Sequence, residues 1–309
     1  MSDAALAAVL RRDRAIVAAC LVVLILLAWA YIVWLADDME MGGMDMTGFR
    51  MIPAGKGLMM PADAPWHAME FAFVFVMWAV MMVGMMTPSV ASLILLYARV
   101  GRQAAALHQP FATSAFLAGG YLSAWILFSA AATIAQWAVE RQGWLTPAMA
   151  GASSTFGGLT LIAAGLYQWT PLKDACLRQC QFPLQFIQRH GGFRADAIGS
   201  LKLGTRHGVY CIGCCWMLMT LLFVGGIMNV SWIALISIFV LTEKVVPVGR
   251  LMSRLAGTLF LAIVAQGGHG RDGRCQPPPV QIPACAANAP GSSLGFWRRS
   301  GDKAAGVSF

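Results

Sequence analysis

Long apolar runs separated by shorter polar stretches fill the chain as far as residue 266. Residues 15–35 (AIVAACLVVLILLAWAYIVWL) contain no charge. They are long enough for a bilayer core, which takes about 20 apolar residues. Further segments follow at 68–98, 113–138, 151–169, 207–227 and 230–248, with a short one at 252–266. This pattern predicts an all-α fold, a polytopic transmembrane helix bundle with six clear spans and a short or truncated seventh. No small-residue cleavage site follows the first span, so it reads as an uncleaved helix. Thr87-Pro88 predicts a kink or an end inside the long second segment. The predicted organisation is an N-terminus at 1–14, a helical domain at 15–266 and a tail at 267–309. The tail (GGHGRDGRCQPPPVQIPACAANAPGSS) loses both hydrophobicity and periodicity, and reads as a disordered or out-of-frame segment.

Charge supports the membrane reading. Of the 309 residues 12% are charged and 58% hydrophobic, against about 25% charged in soluble domains. That excludes a disordered or nucleic-acid-coating chain despite the net charge of +8. If the N-terminus with Arg11, Arg12 and Arg14 is cytoplasmic, the cytoplasmic segments hold 14 basic residues. The opposite loops hold three, Arg50, Lys56 and Arg141. This asymmetry predicts a cytoplasmic N-terminus, an external loop at 36–67 and a cytoplasmic loop at 170–206.

The cysteines carry the first candidate chemistry. Cys176 and Cys180 lie in the cytoplasmic loop (YQWTPLKDACLRQCQFP), and Cys211, Cys214 and Cys215 open the fifth span (YCIGCCWMLM). Spacings of three and four share one helical face. The loop is long enough to fold back and bring the two groups face to face. Thiolates are soft ligands that select Cu(I), zinc or iron–sulfur clusters. The competing reading is that of buried apolar cysteine, which is preferred for Cys20. Structural disulfides are disfavoured in a reducing cytoplasm.

Methionines form a second constellation, 13 of the 19 falling between Met39 and Met86. Met39, Met41, Met44 and Met46 lie among acidic residues in the external loop. Met77, Met81 and Met85 repeat every fourth residue along the second span, as do Met82 and Met86. Thioethers favour Cu(I), so these residues are metal candidates leading inward toward the thiols. Packing of flexible side chains is the alternative reading. His67 and Glu70 at the outer mouth of the second span are weaker metal candidates. Glu243 and Lys244 suggest an ion pair at the inner end of the sixth, and His190 and His207 are spare ligands near the cysteines.

No phosphate loop, dinucleotide glycine fingerprint or hydrolase elbow is present. Gly119-Gly120, Gly157-Gly158 and Gly225-Gly226 mark helix-packing points. The blocks MWAVMMVGMMTPS, YQWTPLKDACLRQC, GVYCIGCCWMLM and WIALISIFVLTEK together resemble a bacterial family of predicted metal-binding integral membrane proteins of unknown function. The resemblance covers roughly residues 65–265. It implies a bacterial inner-membrane protein that binds a metal.

The expected function is soft-metal handling, with Cu(I) as cargo and zinc as the alternative ion. Met77, Met81, Met82, Met85 and Met86 would pass the ion, and Cys176, Cys180, Cys211, Cys214 and Cys215 would receive it. The expected partners are the lipid bilayer and a metallochaperone or a metalloenzyme under assembly, with no nucleic acid. The other readings are a membrane thiol–disulfide redox protein and a zinc-stabilised scaffold without turnover.

Overall fold

The computed structural model describes residues 3–39, 49–54, 59–61, 64–106, 114–146, 149, 151, 153–194, 196–246 and 248–269. The chain divides into two compact units, Met1–Ala265 and Gln266–Phe309. The bundle and its candidate site belong to the first unit. Of the second, only the end of the last helix falls within the described residues.

Among the described residues the first unit is helical apart from one small hairpin. Its elements are α1 (Asp3–Met39), β1 (Phe49–Met51), β2 (Met59–Pro61), α2 (Ala68–Ala106), α3 (Ser114–Arg141) and α4 (Ser154–Tyr167). They continue with α5 (Pro171–Gln181), α6 (Pro183–Arg189), α7 (Ala197–Thr220), α8 (Leu222–Gly225), α9 (Val230–Val245) and α10 (Gly249–His269). β1 and β2 pair antiparallel, Phe49 opposite Pro61 and Met51 opposite Met59. Among the described residues four segments are long and apolar enough to cross a membrane: Ala15–Met39, Ala68–Gly101, Ser114–Arg141 and Ala197–Gly225. The predicted span at 151–169 is a 14-residue helix and that at 230–248 a 16-residue one. At about 1.5 Å per residue both fall short of a ~30 Å hydrocarbon core.

Local chemistry sets the helix boundaries. Thr170 caps α5, its side chain accepting from the Lys173 N–H, and Pro171 occupies the first turn, where its missing N–H costs nothing. Asp196 and Asn229 cap α7 and α9 in the same way. α2 does not end at Thr87-Pro88. The Thr87 and Ser89 hydroxyls donate back to the Val83 and Met86 carbonyls, so polar side chains line the helix on both sides of the proline.

Helix directions follow from paired contacts. Trp78 meets Gln136 while Met86 meets Tyr121, so α2 and α3 are antiparallel. α3 and α7 run parallel and very close. A side chain on Gly120 would collide with the Leu201 carbonyl, one on Gly204 with the Leu117 carbonyl, and one on Gly208 with the Ala124 methyl at 2.6 Å. Gly120 is thus a packing point as expected, whereas a Cβ on Gly158 would meet open space. α9 runs parallel to α2, with Ser237 near Met85 and Lys244 near Met86. Between the parallel α3 and α7 the chain must travel back, and α4 lies on that return.

Candidate metal centre

α7 presents Cys211, Cys214 and Cys215 on one buried face, and α5 lays Cys176 and Cys180 against it. The Cys214 and Cys215 thiols each donate to the Cys211 carbonyl at 3.0 Å, the backbone acceptor one turn earlier. The Cys180 and Cys214 sulfurs approach to 4.0 Å. Cys176 sits over Gly213, where an added Cβ would lie 2.8 Å from its sulfur. The Tyr167 hydroxyl donates to the Gly213 carbonyl and fixes the end of α4 to the same turn. All five thiols are free and enclosed. Cys20, also free, is exposed on α1 rather than buried as the sequence suggested.

The cysteines are central to α7 rather than at its start, because the helix begins at Ala197, ten residues before the expected span. Burial with Cys214 nearby pushes the Cys176 thiol above the usual range. Hydrogen bonds with Cys211 and Cys214, together with burial, do the same to Cys180.

Polar groups from three other helices close on Cys211. The Tyr121 hydroxyl lies 3.1 Å from its sulfur and also donates to the Met86 carbonyl at 3.1 Å. Lys244 Nζ stands 2.8 Å from the Cys211 sulfur, 3.4 Å from Ser89 Oγ and 3.9 Å from the Met86 sulfur. Glu243 and Lys244 do not pair with each other. Glu243 instead takes Lys173 of α5 in a fully buried bridge of 2.7 Å. Lys173 also donates to Gln168, and Ser253 of α10 donates to Glu243. Gln181 adds bonds to the Glu243 and Val246 carbonyls at 2.9 and 3.2 Å. Successive residues therefore face opposite tasks: Glu243 anchors α5, and Lys244 faces the sulfurs.

The methionine run enters the same core. Met77, Met81, Met82, Met85 and Met86 are all buried, and Met86 reaches the polar groups around Cys211 through Lys244. At the other end Trp78 donates to Gln136 at 2.7 Å, and Gln136 donates to the Met149 sulfur at 3.5 Å. Met149 itself holds a left-handed φ of 56°. Met39 is half-buried against the core, while Met41, Met44 and Met46 lie outside the described residues. His67 is exposed and its backbone N–H donates to the buried Glu70 carboxylate at 3.2 Å. His207 is buried beside Tyr121 and Phe186, with no hydrogen-bond partner at Nδ1. His190 hydrogen-bonds the Phe186 carbonyl through Nδ1 at 2.8 Å.

Sequence reasoning missed Tyr121, Ser89 and the Lys173–Glu243 bridge. Only Lys173 beside the cysteines and Glu243 in an apolar run hinted at the last.

Among the described residues no three His, Cys, Asp or Glu side chains are arranged as a preformed metal cage. The donor set nonetheless suits a soft ion. Thiolates about 2.3 Å from a tetrahedral ion lie about 3.8 Å apart, close to the 4.0 Å between Cys180 and Cys214. A family model described as a copper chaperone, PpoB2, matches residues 75–266, more than half of the chain. The chain belongs to the PpoB2 copper chaperone family. The PpoB2 match spans the five buried cysteines and the Met77–Met86 run, and leaves out α1 and the hairpin. No curated protein and no solved structure matches the chain.

Proposed function

We propose that this protein is a membrane-embedded copper chaperone that takes Cu(I) through its buried methionines and holds it on cysteines of α5 and α7. The reading rests on one observation: thiols from two separate helices meet inside the bundle, with the Cys180 and Cys214 sulfurs 4.0 Å apart. They do so within the residues matched by the copper chaperone model. Two of Cys180, Cys211 and Cys214 would hold the ion as thiolates, with Cys176 and Cys215 beside them. Met77, Met81, Met82 and Met85 would lead to Met86 at the edge of the cluster. Thioether and thiolate are both soft donors, so an ion can move between them without meeting a hard ligand. The receiving partner would be a metalloenzyme under assembly.

The chain would lie in the bacterial inner membrane with its N-terminus in the cytoplasm. The parallel course of α3 and α7, and of α2 and α9, supports six crossings in which α4 and α9 act as short return helices inside the bundle. The approach of Cys180 and Cys214 also favours a second reading, thiol–disulfide exchange.

Elemental analysis of detergent-purified protein separates the two. The wild type is expressed with added copper and zinc, beside a variant with serine at Cys176, Cys180, Cys211, Cys214 and Cys215. Copper bound to the wild type and lost in the variant is the expected result. Zinc in its place would mean a structural clamp. No metal under reducing, anaerobic conditions would overturn the chaperone reading in favour of the dithiol one.

A further inference from the structure

Lys244 is buried in an apolar bundle, yet among the described residues it meets no carboxylate. Its nitrogen faces the Cys211 sulfur, the Met86 thioether and the Ser89 hydroxyl. The neighbouring carboxylate, Glu243, is committed to Lys173 on another side of α9. A buried ammonium without an anion is costly, and so is a buried anion without a cation. The groups against Lys244 are Ser89 and Met86 from α2 and Cys211 of α7, and Tyr121 of α3 bonds the same Cys211 sulfur. None of them carries a fixed negative charge.

We propose that Lys244 is the built-in counter-charge of the metal–thiolate complex, and that it tunes the site for a monovalent soft cation. The proposal rests on the copper reading above and deepens it. Cu(I) bound by two thiolates carries one net negative charge, and the Lys244 ammonium balances it. A divalent ion with four thiolates carries two negative charges and leaves one unbalanced in the core. It reaches balance only with three. Lys244 needs no bond to the ion. It is a positioning residue that acts through Cys211 and the local field, as partners behind metal ligands do.

The test is anaerobic competition for Cu(I) between a chromogenic chelator and the full-length protein in detergent. Wild type is compared with Lys244→Leu, Lys244→Arg and Ser89→Asp. Ser89→Asp leaves the ammonium in place but sets a carboxylate beside it, so it carries the test even where Lys244→Leu fails to fold. Gln136→Leu serves as the control for loss of a buried polar side chain that does not face the sulfurs, since Gln136 bonds Trp78 and Met149. Lys244→Leu and Ser89→Asp should each weaken Cu(I) binding about 10–100-fold. Lys244→Arg should retain most of it, and the folded fraction of Gln136→Leu should bind as wild type. Binding in Lys244→Leu and Ser89→Asp within about twofold of wild type would overturn the inference while leaving the copper reading intact, as partner losses normally cost more. An equal loss in Gln136→Leu would also overturn it, since packing would then be the cause. A wild type that binds no Cu(I) would instead sink the copper reading itself.

Discussion

Cys180 of α5 and Cys214 of α7 hold their sulfurs 4.0 Å apart although 34 residues separate them. Two short-range rules create this pairing. The three- and four-residue spacings gather the thiols on one face of each helix. Gly213 then lets α5 approach α7 closely enough for Cys176 to rest on backbone. The pair defines the centre of the proposed copper site. Cys180→Ser or Cys214→Ser should each abolish most copper retention, whereas Cys20→Ser, on the exposed face of α1, should leave copper per protein unchanged. Metal content of the purified variants checks this.

Gly213→Ala tests the close approach. Its new methyl would press on the Cys176 sulfur at 2.8 Å and force α5 outward. Overpacking of this kind costs about 1–3 kcal/mol. Copper retention should fall further than the thermal midpoint does, because the geometry between α5 and α7 is lost before the bundle is. A variant that melts earlier but loads copper normally would count against a site shared by the two helices.

The Lys173–Glu243 bridge should behave as a buried ion pair. Lys173→Met alone strands a carboxylate, and Glu243→Gln alone strands an ammonium. Each should destabilise the protein by about 3–5 kcal/mol, while replacing both by apolar residues should recover much of the loss. Thermal unfolding in detergent measures the cycle. Additive losses would show that the two residues do not act as a pair.

Copper loading should depend on pH. Cys176 and Cys180 have thiols pushed above their ordinary range, by burial and by neighbouring cysteines. They are therefore protonated at neutral pH in the metal-free protein. Each proton displaced by the ion makes apparent affinity fall about tenfold per unit of acidification. Chelator competition between pH 6 and pH 8 should show tighter binding at the alkaline end. A flat profile would mean that Cys180 does not bind as a thiolate.

Met77, Met81 and Met85 can be exchanged for leucine with little strain, since such swaps usually cost under about 1.5 kcal/mol. The triple variant should fold, keep copper supplied directly to the cysteines, and load more slowly from a donor on the other side of a vesicle. Unchanged loading would end the relay idea and leave the cysteine site standing.

The helices were legible wherever apolar length alone decides, as in α1, α2 and α3. α4 and α9 sit on apolar segments that the sequence reads as full spans. Their ends are set by caps and turns, Ser153 and Gln168 for α4 and Asn229 and Val246 for α9. Hydropathy weighs such residues lightly. α7 escaped its expected boundary because Lys202 and Arg206 interrupt the apolar run without breaking the helix. The sharing of one face by Cys211, Cys214 and Cys215 was readable from spacing. That Lys244 faces sulfur and Glu243 faces Lys173 was not. Adjacent residues on a helix diverge by about 100°, and only the packing of α5, α2 and α10 decides which partner each meets.

α5 is a separate rigid rod, set off by Pro171 at its own start and by Pro183 at the start of α6. One tether to the neighbouring helices is the buried bridge from Lys173 to Glu243. Copper held beneath it as proposed would leave no faster than that tether yields. The clock of hand-over would then sit in an electrostatic clasp away from the sulfurs, and a receiving protein that loosens the clasp would decide when delivery happens.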